Sequence, residues 1–150
     1  EFGFHTSMIE SSMIINDRMP EYCAQRAMRA LNEQRKAING AKVLMLGIAY
    51  KQDIDDFRES PAIRVMEALE ALGAEVSFYD PYVSEFPWNG KMYRSIPALT
   101  ADVVEGVDLV MVTTAHTTVD YNLVALHAPL VLDTKNAMKS VEHRQNIRLL

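Results

Sequence analysis

The chain has 150 residues, 49% of them hydrophobic, which is enough for one good core and a flanking element but too little for two full catalytic domains. Its formal net charge of −5, with acidic and basic residues mixed along the chain, gives no footprint for nucleic acid or an anionic membrane, so an anionic ligand must be held by a few local cations. One cysteine, Cys23, excludes an intrachain disulfide and a Cys-rich zinc site, and no apolar run approaches the roughly 20 residues of a membrane span, so a soluble, cytoplasmic chain is expected.

From Phe4 to about Lys36 the apolar residues Met8, Ile15, Met19 and Tyr22 recur at three- and four-residue steps, with Ile9 and Met13 widening the face, which predicts a helical segment. Pro20 removes an amide donor and crowds the carbonyl of Asn16, predicting a kink or break near Arg18 and Met19, and Gly40 is the expected stop. The segment is too long and too apolar on one face for a solvated linker, so it is expected to pack against another domain or a second copy of itself. The rhythm then changes to strand, turn, helix. "AKVLMLG" reads as a strand covered on both faces, and a helix starts at Ser60 as N-cap with Pro61 in the first position. Ala62, Met66 and Leu69 face the sheet and Gly73 ends the helix.

"AEVSFYD" is the second strand. "PYVSEFPWNGKMYRSI" carries too many turn formers for one regular element and reads as a loop with a short strand at Lys91 to Ser95. A short helix near Pro97 to Val104 leads to the third strand, "DLVMVTTA". "VDYNLVALHA", capped by Thr118, is a helix, and "PLVLDT" is the fourth strand. The tail "NAMKSVEHRQNIRLL" is compatible with a helix or a frayed end. Alternating strands and helices predict an α/β fold, a Rossmann-like doubly wound parallel sheet of order 2-1-3-4 preceded by the long N-terminal helical segment. Ligands of such sheets lie beyond the carboxyl ends of the strands, which directs attention to the loop after Gly47, to "TAH" and to "DTKN".

A dinucleotide loop needs glycines so that backbone amides reach phosphate, yet "GIAYKQDIDDFRESP" offers only Gly47 and runs a dozen residues before its helix. It carries side-chain chemistry instead: the ring of Tyr50, the charge of Lys51, three aspartates and the pair Arg58, Glu59. Tyr50 and Lys51 can contact a ligand and neutralise a phosphate; the other reading is a solvated loop whose charges pair among themselves. Asp80 closes the second strand where a ribose-binding acid would sit, but Pro81 follows at once, and a turn or cap role fits better. Lys135 follows the fourth strand as either a ligand cation or a solvated lysine. His5, His116, His127 and His143 share no metal-ligand spacing, so no metal is expected; Cys23 reads as a buried structural thiol, and no Ser-His-Asp set can be argued.

The stretch "GIAYKQDIDDFRESPAIRVMEALEALGAEVSFYDPYV" resembles the C-terminal, UDP-binding domain of the UDP-glucose/GDP-mannose dehydrogenase family, and "FHTSMIESSMIINDRMPEY" is similar to that family's central helix. "DLVMVTTAH" and "VLDTKNAM" fit its later strands, so the likeness covers nearly the whole chain, most closely in the branch oxidising UDP-N-acetylglucosamine or UDP-N-acetylmannosamine. The resemblance implies Tyr50, Lys51 and Lys135 as contacts of a UDP-sugar and Arg58 as a residue facing the NAD cofactor across an interdomain cleft. Lys135 stands where the family commonly has arginine, and a lysine lacks the planar bidentate fork. The resemblance further implies residues 1–39 as a homodimerising central helix and residues 40–150 as the UDP-sugar domain. The NAD-binding domain and the catalytic cysteine are expected in sequence that this chain does not contain, so it carries no catalytic residue of its own. The competing reading is a non-catalytic nucleotide-sugar-binding or assembly module.

Overall fold

The structure is a computed structural model and describes residues 7–150. The expected helix start at Phe4 and the histidine at position 5 lie outside the described residues. The chain order is α1 (Ser7–Glu33), β1 (Lys42–Leu46), α2 (Pro61–Ala71), β2 (Glu75–Tyr79), β3 (Glu85–Trp88), β4 (Lys91–Arg94), α3 (Ala101–Glu105), β5 (Leu109–Val112), α4 (Tyr121–His127), β6 (Val131–Asp133) and β7 (Ile147–Leu149). Five strands form a parallel sheet of order β2-β1-β5-β6-β7, which is the expected 2-1-3-4 order extended by one strand.

Successive residues of a strand point to opposite faces, and β1 divides its side chains accordingly. Val43 and Met45 join Leu109, Met111 and Leu132 in a core shared with α1 and α2. Leu44 and Leu46 join Val110, Val112 and Val131 in a second core beneath α3 and α4. Ser60 caps α2, its hydroxyl accepting from the Ala62 amide at 3.3 Å, with Pro61 at the first position and Ala62, Met66 and Leu69 buried as expected.

Five local expectations are corrected. α1 runs unbroken through Pro20, because Cys23, Ala24, Ala27, Ala30 and Leu31 form one buried stripe that holds the helix against the sheet despite the lost backbone bond. It ends at Glu33, ahead of Gly40, which instead takes a positive φ of 79° in the turn before β1. The expected short strand at Lys91 to Ser95 is present as β4, but the residues before it form a strand and not a loop: "EFPWNGKMYR" is an antiparallel hairpin, β3 on β4, turning at Asn89 (φ 48°) and Gly90 (φ 74°), the backbone that an Asn-Gly pair favours. The hairpin docks on α2 through Glu67, which accepts from the Trp88 indole and the Asn89 amide, both at 2.7 Å. Asp120, not Thr118, caps α4 by accepting from the Leu123 amide. The tail ends in β7, parallel to β6, tied to α1 by Arg26 donating to the Leu149 carbonyl and by the Arg148–Glu33 ion pair.

Candidate functional site

A cavity of about 890 Å³ opens between α1, the N-terminal end of α2 and the carboxyl ends of β1, β5 and β6. That volume is in the range of small-molecule sites, and its position is the switch point of the sheet order. Tyr50 comes to it from the loop after β1, Thr113 from the end of β5, and Thr134 with Lys135 from the end of β6. Met19 and Cys23 of α1 close another side, and Ser60 with Pro61 brings the start of α2 to the rim. The partial positive charge of a helix N-terminus and the Lys135 ammonium thus border one concave surface.

The predicted residues are distributed unevenly about this cavity. Tyr50 and Lys135 line it. Lys51 is exposed beside it, its Nζ lying 5.4 Å from the Tyr50 ring centroid. Arg58 does not line it: its guanidinium is paired with the Asp56 carboxylate through two bonds of 3.0 Å, and its side chain is 81% exposed. Those bonds hold the Asp56 carboxyl below its ordinary range. Pairing among the loop charges is therefore realised at Asp56 and Arg58, while Tyr50 lines the cavity and Lys51 is exposed with its ammonium near the Tyr50 ring. Cys23 is buried, and burial raises its thiol pKa against the opposing effect of Lys135. Among the described residues, no group of three His, Cys, Asp or Glu is arranged to hold a metal ion.

Gly47 works against the protein rather than against a ligand. Its φ is 88°, and a Cβ there would lie 2.5 Å from Cβ and O of Thr114. The glycine lets the loop cross the end of β5, where Thr113 Oγ1 donates to the Gly47 carbonyl at 2.5 Å and Thr114 Oγ1 to the Ala49 carbonyl at 2.7 Å. The face that a dinucleotide phosphate would need is filled.

Asp80 is the organising residue that sequence reasoning described only as a turn or cap. It is buried, and its carboxylate collects five donors: Ile48 N (2.7 Å), Ala49 N (2.9 Å) and His116 Nε2 (3.0 Å) on Oδ2, Tyr82 N (2.9 Å) and Val83 N (3.0 Å) on Oδ1. Burial alone would raise its pKa, but the bonds from His116, Tyr82, Ile48 and Ala49 outweigh that effect and bring it from 3.8 to about 2. His116, also fully buried, was missed because its partners are 36 and 63 residues away in sequence. With every acceptor site of Asp80 used internally, no capacity is left for a ribose.

Comparison with known proteins gives these features a family. Residues 44–140 match the UDP-glucose/GDP-mannose dehydrogenase family, UDP binding domain. UDP-N-acetyl-D-mannosamine dehydrogenase of Pyrococcus horikoshii is 30% identical over 137 residues, covering 88% of this chain and 30% of the relative. UDP-N-acetyl-D-glucosamine 6-dehydrogenase of Pseudomonas aeruginosa is 28% identical over 82 residues, 55% of this chain and 19% of the relative. The solved UDP-D-ManNAc dehydrogenase of Pyrococcus horikoshii superposes with a TM-score of 0.78 at 27% identity, covering 99% of this chain and 34% of that one. The chain thus spans about a third of the length of these enzymes. With the matched segment running from β1 past β6 and enclosing the cavity-lining ends of β1, β5 and β6, the chain belongs to the UDP-glucose/GDP-mannose dehydrogenase family, UDP binding domain.

Proposed function

We propose that this chain is the nucleotide-sugar-binding part of an NAD-dependent UDP-sugar 6-dehydrogenase acting in the cytoplasm on a UDP-N-acetylhexosamine. The observation that carries the reading is the cavity at the carboxyl ends of β1, β5 and β6, with Tyr50 and Lys135 on its wall and Lys51 beside it. In this reading Tyr50 supports the uracil or sugar face, and Lys51 and Lys135 neutralise the diphosphate, assisted by the start of α2. NAD does not fit the loop after β1, because Gly47 is closed off by Thr114 and Asp80 is saturated. In this reading the cofactor is held by a domain outside residues 40–150, and Arg58, 81% exposed and paired with Asp56, is the residue of this loop that faces it. NAD would supply the hydride acceptor; the residues of this chain bind and orient the nucleotide.

Residues 1–39 serve in this reading as the central segment that joins two copies. Support comes from the first turns of α1, where Met8, Ile9, Met13, Ile14 and Ile15 are all more than half exposed, an apolar surface that a second copy of the same helix would cover.

Calorimetric titration of the chain with UDP tests the site. UDP binds, and Lys51→Ala and Lys135→Ala each weaken binding by about tenfold, the worth of one charge-assisted hydrogen bond. Absence of UDP binding, or binding indifferent to both substitutions, overturns the assignment.

A further inference from the structure

We propose that His116 is a positioning residue for the nucleotide-binding loop, a neutral imidazole whose two nitrogens couple the Asp80 carboxylate to the Asp53 amide and so fix the segment that presents Tyr50 and Lys51. The role in ligand binding rests on the function proposed above; the role in holding the loop does not.

The loop from Gly47 to Ser60 is secured at both ends. At its start, the Ile48 and Ala49 amides donate to Asp80 and the Ala49 carbonyl accepts from Thr114. At its end, Phe57 lies against Phe86 with ring centroids 5.6 Å apart, and the Ser60 amide donates to the Phe57 carbonyl. Between these anchors the Tyr50 amide donates to the Asp56 carbonyl at 2.7 Å, which closes the loop on itself without attaching it to the domain. The attachment at the middle comes from the segment after β5. The Asp53 amide donates to His116 Nδ1 at 3.0 Å, and the Asp53 carboxylate accepts from the Thr117 amide at 2.9 Å and the Thr117 hydroxyl at 2.8 Å. Asp53 takes a positive φ of 59°, a left-handed backbone that an aspartate adopts when its surroundings define it.

The network fixes the tautomer. An amide N–H can only donate, so Nδ1 must present its lone pair, and the single ring proton sits on Nε2 and is donated to Asp80 Oδ2 at 3.0 Å. The other groups facing the ring are the Asp53 carboxylate, whose Oδ1 lies 3.6 Å from Nδ1, and the Tyr82 ring at 5.0 Å between centroids; the Tyr121 hydroxyl donates to the His116 carbonyl. Both nitrogens are thus consumed in a fully buried ring, leaving none for a substrate. His116 acts on the ligand only through Asp53, two residues from Lys51 and three from Tyr50.

Two substitutions separate the two halves of the bridge. In His116→Asn the amide oxygen stands near the place of Nδ1 and keeps an acceptor for the Asp53 amide. In His116→Gln the amide nitrogen reaches toward the place of Nε2, keeps the donor to Asp80 and leaves Asp53 without its acceptor. Titration with UDP is expected to show His116→Gln weakened by about tenfold and His116→Asn within about threefold of the parent. Amide exchange, measured without UDP, is expected to be slow at Asp53 in the parent and in His116→Asn and fast in His116→Gln. Long-range proton–nitrogen spectra of the unsubstituted chain at pH 7 are expected to report a protonated Nε2 and a bare Nδ1, a readout that holds even where both variants fail to fold. A protonated Nδ1, or equal Asp53 exchange and UDP affinity in the two variants, overturns the proposal. If the parent does not bind UDP while exchange and tautomer come out as expected, the functional assignment falls and the loop-holding role stands.

Discussion

Replacing Asp80 by asparagine keeps its shape and removes its charge, and the structure sets the size of the effect. The carboxylate serves three donors on one oxygen and two on the other. An asparagine can turn its oxygen to only one set, so its least costly orientation leaves the Tyr82 and Val83 amides facing an NH₂ group. A buried donor without a partner costs about 1–3 kcal/mol. Val83 is buried and Tyr82 half-buried, where water can serve part of the need, so the expected loss is about 2 to 4 kcal/mol. Urea unfolding at pH 7 should read this as a midpoint lowered by about 1 to 2 M. A second, independent reading comes from acid. The folded-state pKa of Asp80 is depressed from 3.8 to about 2, so its ionisation stabilises the fold fully above about pH 4, and that contribution is lost as pH falls toward 2. The shift corresponds to roughly 2 kcal/mol. The stability difference between parent and Asp80→Asn should therefore shrink by about that amount from pH 5 to pH 2. A loss below about 1 kcal/mol at pH 7, or a difference independent of pH across this window, refutes the five-donor account.

Gly47→Ala meets two obstacles, a φ of 88° and contacts of 2.5 Å with Thr114, so it should lower the thermal midpoint by several degrees, corresponding to about 2 kcal/mol or more; an unchanged midpoint would mean the loop crosses β5 differently. For the helix surface, Ile9→Glu together with Met13→Glu should convert a dimer to a monomer in analytical ultracentrifugation while leaving the far-UV circular-dichroism spectrum unchanged, since both side chains are more than half exposed in the single chain. A chain that is monomeric before substitution would remove the proposed self-association.

The parts of the fold that the sequence made legible are those written in local pattern. β1, β5 and β6 are nearly unbroken apolar runs, and the Ser60-Pro61 pair marks its helix start by capping chemistry that needs no distant partner. The switch-point location of the cavity followed from strand order alone. What escaped depends on separation or on competing signals. Asn89-Gly90 is a strong hairpin signal, but Pro87 and the surrounding turn formers masked it, although the β3–β4 pair has room for that proline at Met92's side. β7 is three residues long and acquires its identity from β6 and from Arg26 and Glu33, over a hundred residues away. Pro20 predicted a kink or break near Arg18 and Met19, yet the helix is continuous there, because the packed stripe downstream overrides the local penalty. Tyr50 and Lys135, left open between ligand contact and solvated residue by local pattern and singled out by the family resemblance, line the cavity, whereas Asp80, His116 and Asp53 form a set only when three strand ends come together.

The division of β1 between two cores also sets how sequence change at neighbouring positions is felt. Met45 belongs to the core shared with α1 and α2, which also takes in Cys23 and Met19 of the cavity wall, so altered volume there is passed toward that wall through the cluster. Leu44, one residue away, belongs to the second core, beneath α3 and α4, against which Tyr121 also packs. The α3–α4 side still reaches the loop that carries Tyr50 and Lys51, because the Tyr121 hydroxyl at the start of α4 donates to the His116 carbonyl and His116 accepts from the Asp53 amide; a shift of α4 at Tyr121 is therefore felt there, whereas change at its far end is not in contact with that network.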